Sequence, residues 1–494
     1  MLKRNWNNGE HSIAVYGRLL PSFPLLALLL AGAAAHAADA PRSFYVEPGT
    51  YGTQRETDPP AYVKNVGTAL KKDSLNWLDA GVEYRTRYEW RDDDIRRPDA
   101  NDLDKPLLLR ARAWVGIKEV FDPLRFAFEL TDSRERATHY TPDNRDVNKM
   151  EFIQGYAELH FDNVLGADPR GNARPLTIRA GRMAFEALDR RLVARNEWRN
   201  TTNSFEGLRV QLGSDNNDWA LEAWSLHPLT RLLEDVDKPN LDVRFDAVIA
   251  HWRPWSPAIT LEPHFVRLQQ EATAATAFRA RDILAPALRV YGRLMATAVN
   301  YDVSLMEQHG SDGGQRVDGE SLTAEIGYSW NSHPWKPRVS AFYGYASGDE
   351  NPIDNRNDRF ERFFGFARPW SADDYVIFEN VRAPKLKVEL QPLNGVRVDA
   401  GYNWFRLAST TDRFNNLLGG TAANRDRSGK SGSDMGQSWD VRVRFSPLKH
   451  VQATLGYSSF LHGNFTQERQ LAATSSTVDD SDFFYAEMVW RWFE

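Results

Sequence analysis

The stretch Trp77 to Arg91, WLDAGVEYRTRYEWR, decides the fold. Drawn out as a strand, it sets Leu78, Ala80, Val82, Tyr84, Thr86, Tyr88 and Trp90 on one face. Asp79, Glu83, Arg85, Arg87, Glu89 and Arg91 fall on the other. Successive side chains of a strand point to opposite sides, so one face suits hydrocarbon and the other suits water. A strand of a soluble sandwich also alternates, but it rarely opposes charged to apolar positions over such a length. A strand crossing a bilayer needs this pattern for about 9 to 11 residues.

Working outward, Leu107 to Lys118 sets Leu109, Ala111, Ala113, Val115 and Ile117 against Arg110, Arg112, Trp114 and Lys118. A tight Phe121-Asp122-Pro123 turn returns the chain through Leu124, Phe126, Phe128 and Leu130, with Arg125, Glu129 and Thr131 opposite. The scheme repeats near 150–161, 174–183, 205–213, 217–226, 242–253, 258–268, 286–294, 298–308, 321–330, 337–346, 384–391, 396–405, 437–446, 451–460 and 482–493. The connections at 121–123, 213–217, 254–257, 331–337, 392–395 and 446–450 are short, and those between them are long, the longest being about Ser347 to Arg382. Short turns on one side, long loops on the other and about 18 strands predict an all-β, transmembrane antiparallel β-barrel with both termini on the short-turn, periplasmic side.

The ends and the composition agree. Lys3, Arg4 and Arg18 precede the apolar run Leu19 to Ala31 and the small-residue site Ala35-His36-Ala37, so 1–37 reads as a signal peptide. Residues 38–74 hold Pro41, Pro48, Pro59 and Pro60 with little periodicity and read as a periplasmic N-terminal extension, either a lead-in or plug-like, and 75–494 as the outer-membrane barrel. Mean hydropathy is −0.55, because a barrel averages an apolar outer wall with a polar lumen. The 16 Trp suit interfacial girdles. Cysteine is absent, which excludes disulfides, thiol nucleophiles and thiolate metal sites. A net charge of −6 argues against a nucleic-acid partner.

Six further motifs carry a family resemblance. Arg179-Ala180-Gly181-Arg182 is followed by Arg191-Leu192-Val193, Glu197-Trp198-Arg199-Asn200-Thr201 and Ser204-Phe205-Glu206-Gly207. Ala346-Ser347-Gly348-Asp349-Glu350-Asn351-Pro352 and Met435-Gly436-Gln437-Ser438-Trp439-Asp440 come later. Together they resemble the alginate-export family of outer-membrane barrels. The resemblance implies an eighteen-stranded pore with a basic constriction that passes a polyuronate, and it places Arg112 and Arg182 among the pore arginines. Ile153, Gln452 and Thr454 stand where it would place further arginines.

An anion crossing a low-dielectric lumen needs fixed cations, each binding weakly. Inward parity offers Arg85, Arg87, Arg110, Arg112, Arg125, Arg209, Lys385, Lys387, Arg397, Arg442 and Arg444. Arg182 joins them only if Gly181 marks a bulge, since strict alternation groups it with Ile178 and Ala180. Each cation has two readings, a substrate contact or one half of a ladder with lumen acids such as Glu83, Glu89, Glu129, Glu158, Glu325, Glu389, Asp399 and Glu487. The loop with Ser347, Gly348, Asp349 and Glu350 is a candidate gate. Its carboxylates are of a kind that binds calcium, without EF-hand spacing, and no resident cofactor is expected otherwise. No G-x-S-x-G or H-E-x-x-H motif is present, which argues against an enzyme. Three functions remain to be compared: export of an anionic polysaccharide with a periplasmic scaffold as partner, uptake of small anionic solutes, and a barrel bearing catalysis.

Overall fold

A computed structural model of the chain describes residues 43–47, 56–97, 103–188, 190–294, 298–366, 372–476 and 479–492, so the expected leader at 1–37 lies outside the described residues. Eighteen strands build the wall. They are β1 (Leu78–Asp92), β2 (Leu107–Phe121), β3 (Leu124–Arg136), β4 (Asn148–Phe161), β5 (Leu176–Met183), β6 (Phe205–Leu212), β7 (Trp219–Thr230), β8 (Val243–Trp252) and β9 (Thr260–Gln270). The series continues with β10 (Arg281–Leu294), β11 (Val299–Asp312), β12 (Gln315–Ser329), β13 (Arg338–Ala346), β14 (Val381–Leu393), β15 (Val396–Arg406), β16 (Asp434–Leu448), β17 (Val451–His462) and β18 (Ser481–Arg491). Each overlaps one of the segments expected from alternation.

Sequential strands pair antiparallel, and β1 pairs with β18 from Glu83↔Arg491 to Asp92↔Asp482, which closes the barrel. Hydrocarbon offers no partner to backbone N–H and C=O groups, so an open edge in the bilayer would leave each of them unpaired. The outer wall carries Val248, Phe265, Leu288, Leu305, Ile326, Leu386, Leu455 and Met488, all exposed. Phe121, Phe161, Trp252, Trp330, Trp335 and Trp492 form the aromatic belt at the short-turn end, and Tyr88, Tyr343, Trp404 and Trp439 lie toward the other. On β1 the alternation holds as read, with Val82, Tyr84 and Tyr88 exposed and Glu83, Arg85, Arg87, Glu89 and Arg91 buried.

Two connections depart from the short-and-long rule. On the long-loop side, β11 and β12 run on to Asp312↔Gln315 and join through Gly313 and Gly314 alone. Both glycines have positive φ, 58° and 88°, as a two-residue hairpin requires. The alternation fades after 308 because these strands rise beyond the bilayer, where the outer face no longer has to be apolar. On the periplasmic side, 162–175 is long and seats the N-terminal residues: the Arg170 guanidinium donates to the Ser43 carbonyl, and Asn217 bridges to Asp168.

The extension at 38–74 is not confined to the periplasm. Phe44 and Tyr45 donate backbone hydrogen bonds to Asn216 and Asp215 in a periplasmic turn. Residues 56–63 then enter the lumen, where Tyr62 is 2% exposed and its hydroxyl donates to Glu129 at 2.5 Å. Lys64 and Asn65 pair with Ala80 and Asp79 before α1 (Val66–Leu70) leads into β1. Gly81, the one inward position of the opening stretch without a side chain, lies under this segment: a Cβ there would sit 2.3 Å from the Tyr62 carbonyl oxygen.

Apolar burial is therefore inside the barrel. Phe185, Leu192, Val193, Phe205, Trp224, Phe245, Phe360, Tyr375, Phe378, Phe405 and Phe460 belong to one lumen cluster built by the wall and the described residues of two infolded loops, within 184–204 and 357–380. The loops are joined by backbone, Ala194 N–H to the Phe364 carbonyl at 3.3 Å and Phe364 N–H to the Leu192 carbonyl at 3.0 Å. The helix α2 (Asn464–Thr474) covers part of the same end, with Thr466 donating to the Met435 carbonyl.

Phe265→Arg, in the middle of the outer face of β9, is expected to cost about 2–4 kcal/mol of stability in a lipid bilayer. Urea titration of refolding into vesicles measures it; the same change in stability for Phe278→Arg, in the loop beyond β9, would contradict the assigned wall.

Candidate functional site in the barrel lumen

A loop carried inside a barrel brings peptide groups that water no longer serves, so side chains must pair with them. The cations of β1 and β2 do this. Arg85 donates to the carbonyls of Glu197 at 2.8 Å and Arg199 at 2.9 Å, and to the Asn200 side chain at 2.9 Å. Arg87 donates to the Trp198 carbonyl at 2.5 Å and lies 3.9 Å over its ring. Arg110 reaches the Glu197 and Arg199 carbonyls and the Glu197 carboxylate. Arg112 pairs with Glu197 at 2.6 Å and donates to the Thr202 hydroxyl at 2.9 Å. Planar guanidinium forks suit paired carbonyls, which is why arginine rather than lysine occupies these sites.

From the loop side, Asn200 Nδ2 donates to the carbonyls of Leu109, Arg134 and Asp146, and Thr201 to those of Asn144 and Arg145. The Glu197-Trp198-Arg199-Asn200-Thr201 motif and the β1–β2 arginines are thus two halves of one clamp. Arg85, Arg87, Arg110 and Arg112, expected along the pathway, are each 3% exposed or less and hold the loop that narrows the lumen.

The other expected residues scatter. Arg182 does not face the lumen: the register runs Gly155↔Arg182 and Tyr156↔Gly181 without a bulge. Its side chain turns at the rim to Glu151 at 2.8 Å and to the Asp237 carbonyl at 2.9 Å, fastening the loop after β7. Arg125 stands half-buried at the periplasmic end, 4.0 Å from Asp162. On the far wall, Arg442 and Arg444 share Asp399 at 3.0 and 3.4 Å, and Lys387 pairs with Glu389 at 2.9 Å. Lys385 and Arg397, also inward, carry no ion pair to any described residue.

Ser347, Gly348, Asp349 and Glu350 form the base of their loop rather than its infolded part, which is 357–380. Asp349 accepts from Arg425 at 3.0 Å, and its N–H donates to Asp412 at 2.9 Å. Thr411 donates to the Glu350 carbonyl at 2.8 Å, and Ser347 to that of Asp358 at 2.6 Å. A Cβ at Gly348 would collide with Asn380. The Asp358 carboxylate pairs with Arg356, so these acids face arginines. His251 and His264 are buried lumen residues grouped around Glu262.

Two vestibules flank the loops. Toward the outside, Arg199 of the infolded loop lies among Arg145, Arg231 and Arg362, each on a different loop. Burial, and next the Arg199 guanidinium, hold Arg145 and Arg362 below the usual arginine range and push Arg231 down to about 10. Acids stand nearby, Arg199 itself meeting Asp374 at 3.4 Å. These arginines escape a reading by strand alternation because loops have no parity.

Toward the periplasm a cavity of about 700 Å³ is lined by Lys118, Arg125, Arg179, Arg209, Glu158 and Glu222, with Glu56 and Asp58 of the N-terminal segment inside it. Arg179 belongs to the Arg179-Ala180-Gly181-Arg182 motif, where its inward parity was visible.

A closed eighteen-stranded barrel with an apolar outer band, aromatic girdles, infolded loops and charged vestibules defines an outer-membrane channel. Residues 76–478 match the model of the Alginate export family, and the chain belongs to that family. Among curated proteins no sequence matches. Solved structures share the architecture. Pseudomonas aeruginosa OpdO aligns at 14% identity over 84% of this chain and 97% of its own, with a TM-score of 0.53. OpdQ and OccK9 (OpdG) of the same organism align at 13% over 84% of this chain and 97% and 98% of theirs, both at 0.53. At such identities the likeness is one of fold.

Arg112→Ala leaves Glu197 without its closest partner, and losing one member of a buried pair typically costs about 3–5 kcal/mol. The cost is expected to fall on the loop: trypsin cleavage at Arg199 and single-channel conductance should both rise while the barrel keeps its heat-modifiable mobility. A protected loop with reduced anion current would instead identify Arg112 as a pore-lining cation.

Proposed function

We propose that this channel passes anionic carbohydrate and exports a polyuronate of the alginate type. Membership of the Alginate export family supports the class of passenger. The observation that carries the charge preference is the outer cluster of Arg145, Arg199, Arg231 and Arg362. Arg199 lies beside the other three, and a pore selects anions through such rings of fixed cations. Lys385 and Arg397 add cations along the far wall that form no ion pair among the described residues. The reading is of a passive channel, not an enzyme, with no resident cofactor. Its partners are outer-membrane lipid, the passenger and, for an exporter, a periplasmic scaffold meeting the side that carries 43–47 and 162–175.

A second reading, uptake of small anionic solutes, has its own support. The lumen is narrowed by two infolded loops, and the periplasmic cavity of about 700 Å³ matches a small-molecule site, for which about 300–1,000 Å³ is typical.

Planar-bilayer recording tests both. Reversal potentials in a KCl gradient should show anion preference, reduced several-fold in the combined Arg145→Gln, Arg231→Gln, Arg362→Gln variant. Oligomeric uronates should block the current where neutral oligosaccharides of equal size do not. Cation preference unaffected by the substitutions would overturn the anionic passenger; free permeation of monomeric uronates with no block by oligomers would favour uptake.

A further inference from the structure

Arg179 on β5 and Arg209 on β6 are cross-strand partners on the inner face. Each is held by a wall acid: Glu158 accepts from Arg179 Nε and Nη2 at 3.0 and 2.8 Å, and Glu222 from Arg209 Nε at 2.7 Å. Each guanidinium also lies over a ring, Arg179 3.9 Å from the Tyr156 centroid and Arg209 4.2 Å from that of Phe185. This fixes both forks and leaves Nη1 of each aimed at one point in the periplasmic cavity. The group at that point is a carboxylate of the chain itself: Asp58 Oδ2 accepts from Arg179 Nη1 at 2.8 Å and from Arg209 Nη1 at 3.1 Å.

Asp58 is not part of the wall. It reaches the site on the N-terminal segment, tethered by the Glu56 N–H to Glu186 at 2.7 Å and by the Tyr62 hydroxyl to Glu129. Wall arginines already have wall acids, so the third carboxylate is not needed to balance them. Burial alone would raise the Asp58 carboxyl, and Arg179 and Arg209 outweigh it and hold it below the usual carboxylate range. The acid is thus ionised at neutral pH, in the form a uronate also presents.

We infer that the Nη1 groups of Arg179 and Arg209 form a carboxylate subsite for an anionic sugar, which Asp58 occupies as a tethered stand-in until a passenger carboxylate displaces it. Geometry supports the exchange. Two guanidinium donors on one carboxylate oxygen make charge-assisted hydrogen bonds, about twice as strong as neutral ones, and the surrounding cavity of about 700 Å³ has room for a sugar ring once residues 56–59 withdraw. A tether confers an effective concentration of the order of millimolar, so a free uronate can compete at attainable concentrations. The inference rests on the anionic-passenger reading and adds the location and the internal competitor.

The test uses the whole protein in planar bilayers with glucuronate as probe and glucose as control. Asp58→Asn keeps the shape of the segment and removes its charge; the half-blocking glucuronate concentration should fall about tenfold, as for a tether about ten times more concentrated than the Kd of a free carboxylate at the site, with no effect of glucose. Block equal to wild type, or absent from both, overturns the subsite. Reversal potential in a salt gradient, measured on the same membranes, reports the anionic-passenger reading separately, so the two failures are distinguishable. A second measurement exploits the absence of cysteine: Thr57→Cys supplies the sole thiol, and glucuronate should speed its labelling from the periplasmic side. An unchanged labelling rate at saturating glucuronate also overturns the displacement.

Discussion

The peptide groups of 197–200 must find partners inside a barrel, and much of the molecule follows from that requirement. A segment folded into the lumen gives up water on nearly all sides, and each unpaired carbonyl would cost as much as a lost hydrogen bond. Arg85, Arg87 and Arg110 meet the demand from the wall, Arg112 fixes the Glu197 and Thr202 side chains, and Asn200 and Thr201 return hydrogen bonds to the rims of β2, β3 and the loop after it. With 184–204 locked in this way, its backbone supports the second infolded loop through Leu192, Ala194 and Phe364. The aromatic cluster then packs where a wider barrel would hold water.

Charge is divided accordingly. Arginines of β1 and β2 serve as buried structural donors to the infolded loop, and a second set stands at the vestibules, on loops or on other strands. Under the proposed function this division would let an acidic chain carry a basic passage: net charge describes the whole surface, but selectivity depends on the cations along the path. Lumen ladders such as Arg338 with Glu325 and Glu389, or Arg289 with Asp302 and Glu262, engage their arginine fully and rigidify the wall.

The N-terminal segment adds a constraint from the opposite end. It crosses beneath periplasmic turns, enters over Gly81, and sets Tyr62 on Glu129, the same carboxylate that Arg195 of the infolded loop contacts at 2.5 Å. One wall acid thereby joins the segment entering from the periplasm to the loop entering from outside. The missing side chain at Gly81 interrupts the polar face of β1 because a second chain passes there.

Alternation in the sequence by itself determined the eighteen strands, their inward and outward faces and, through the closing requirement of the bilayer, the barrel. The period of two is local, and hydrocarbon enforces it residue by residue. It also placed Arg85, Arg87, Arg110, Arg112 and Arg442 correctly on the lumen side. What those cations do was decided only by tertiary structure, because parity says that a side chain points inward and not what it meets there. Arg112 meets Glu197 across 85 residues of chain, Asp58 meets Arg179 across 121, and Arg199 gathers arginines from three other loops. Loops have no periodicity to read, and Arg182 shows the limit from the other side: lipid-facing by register, it turns at the rim to a partner that only the folded loop supplies.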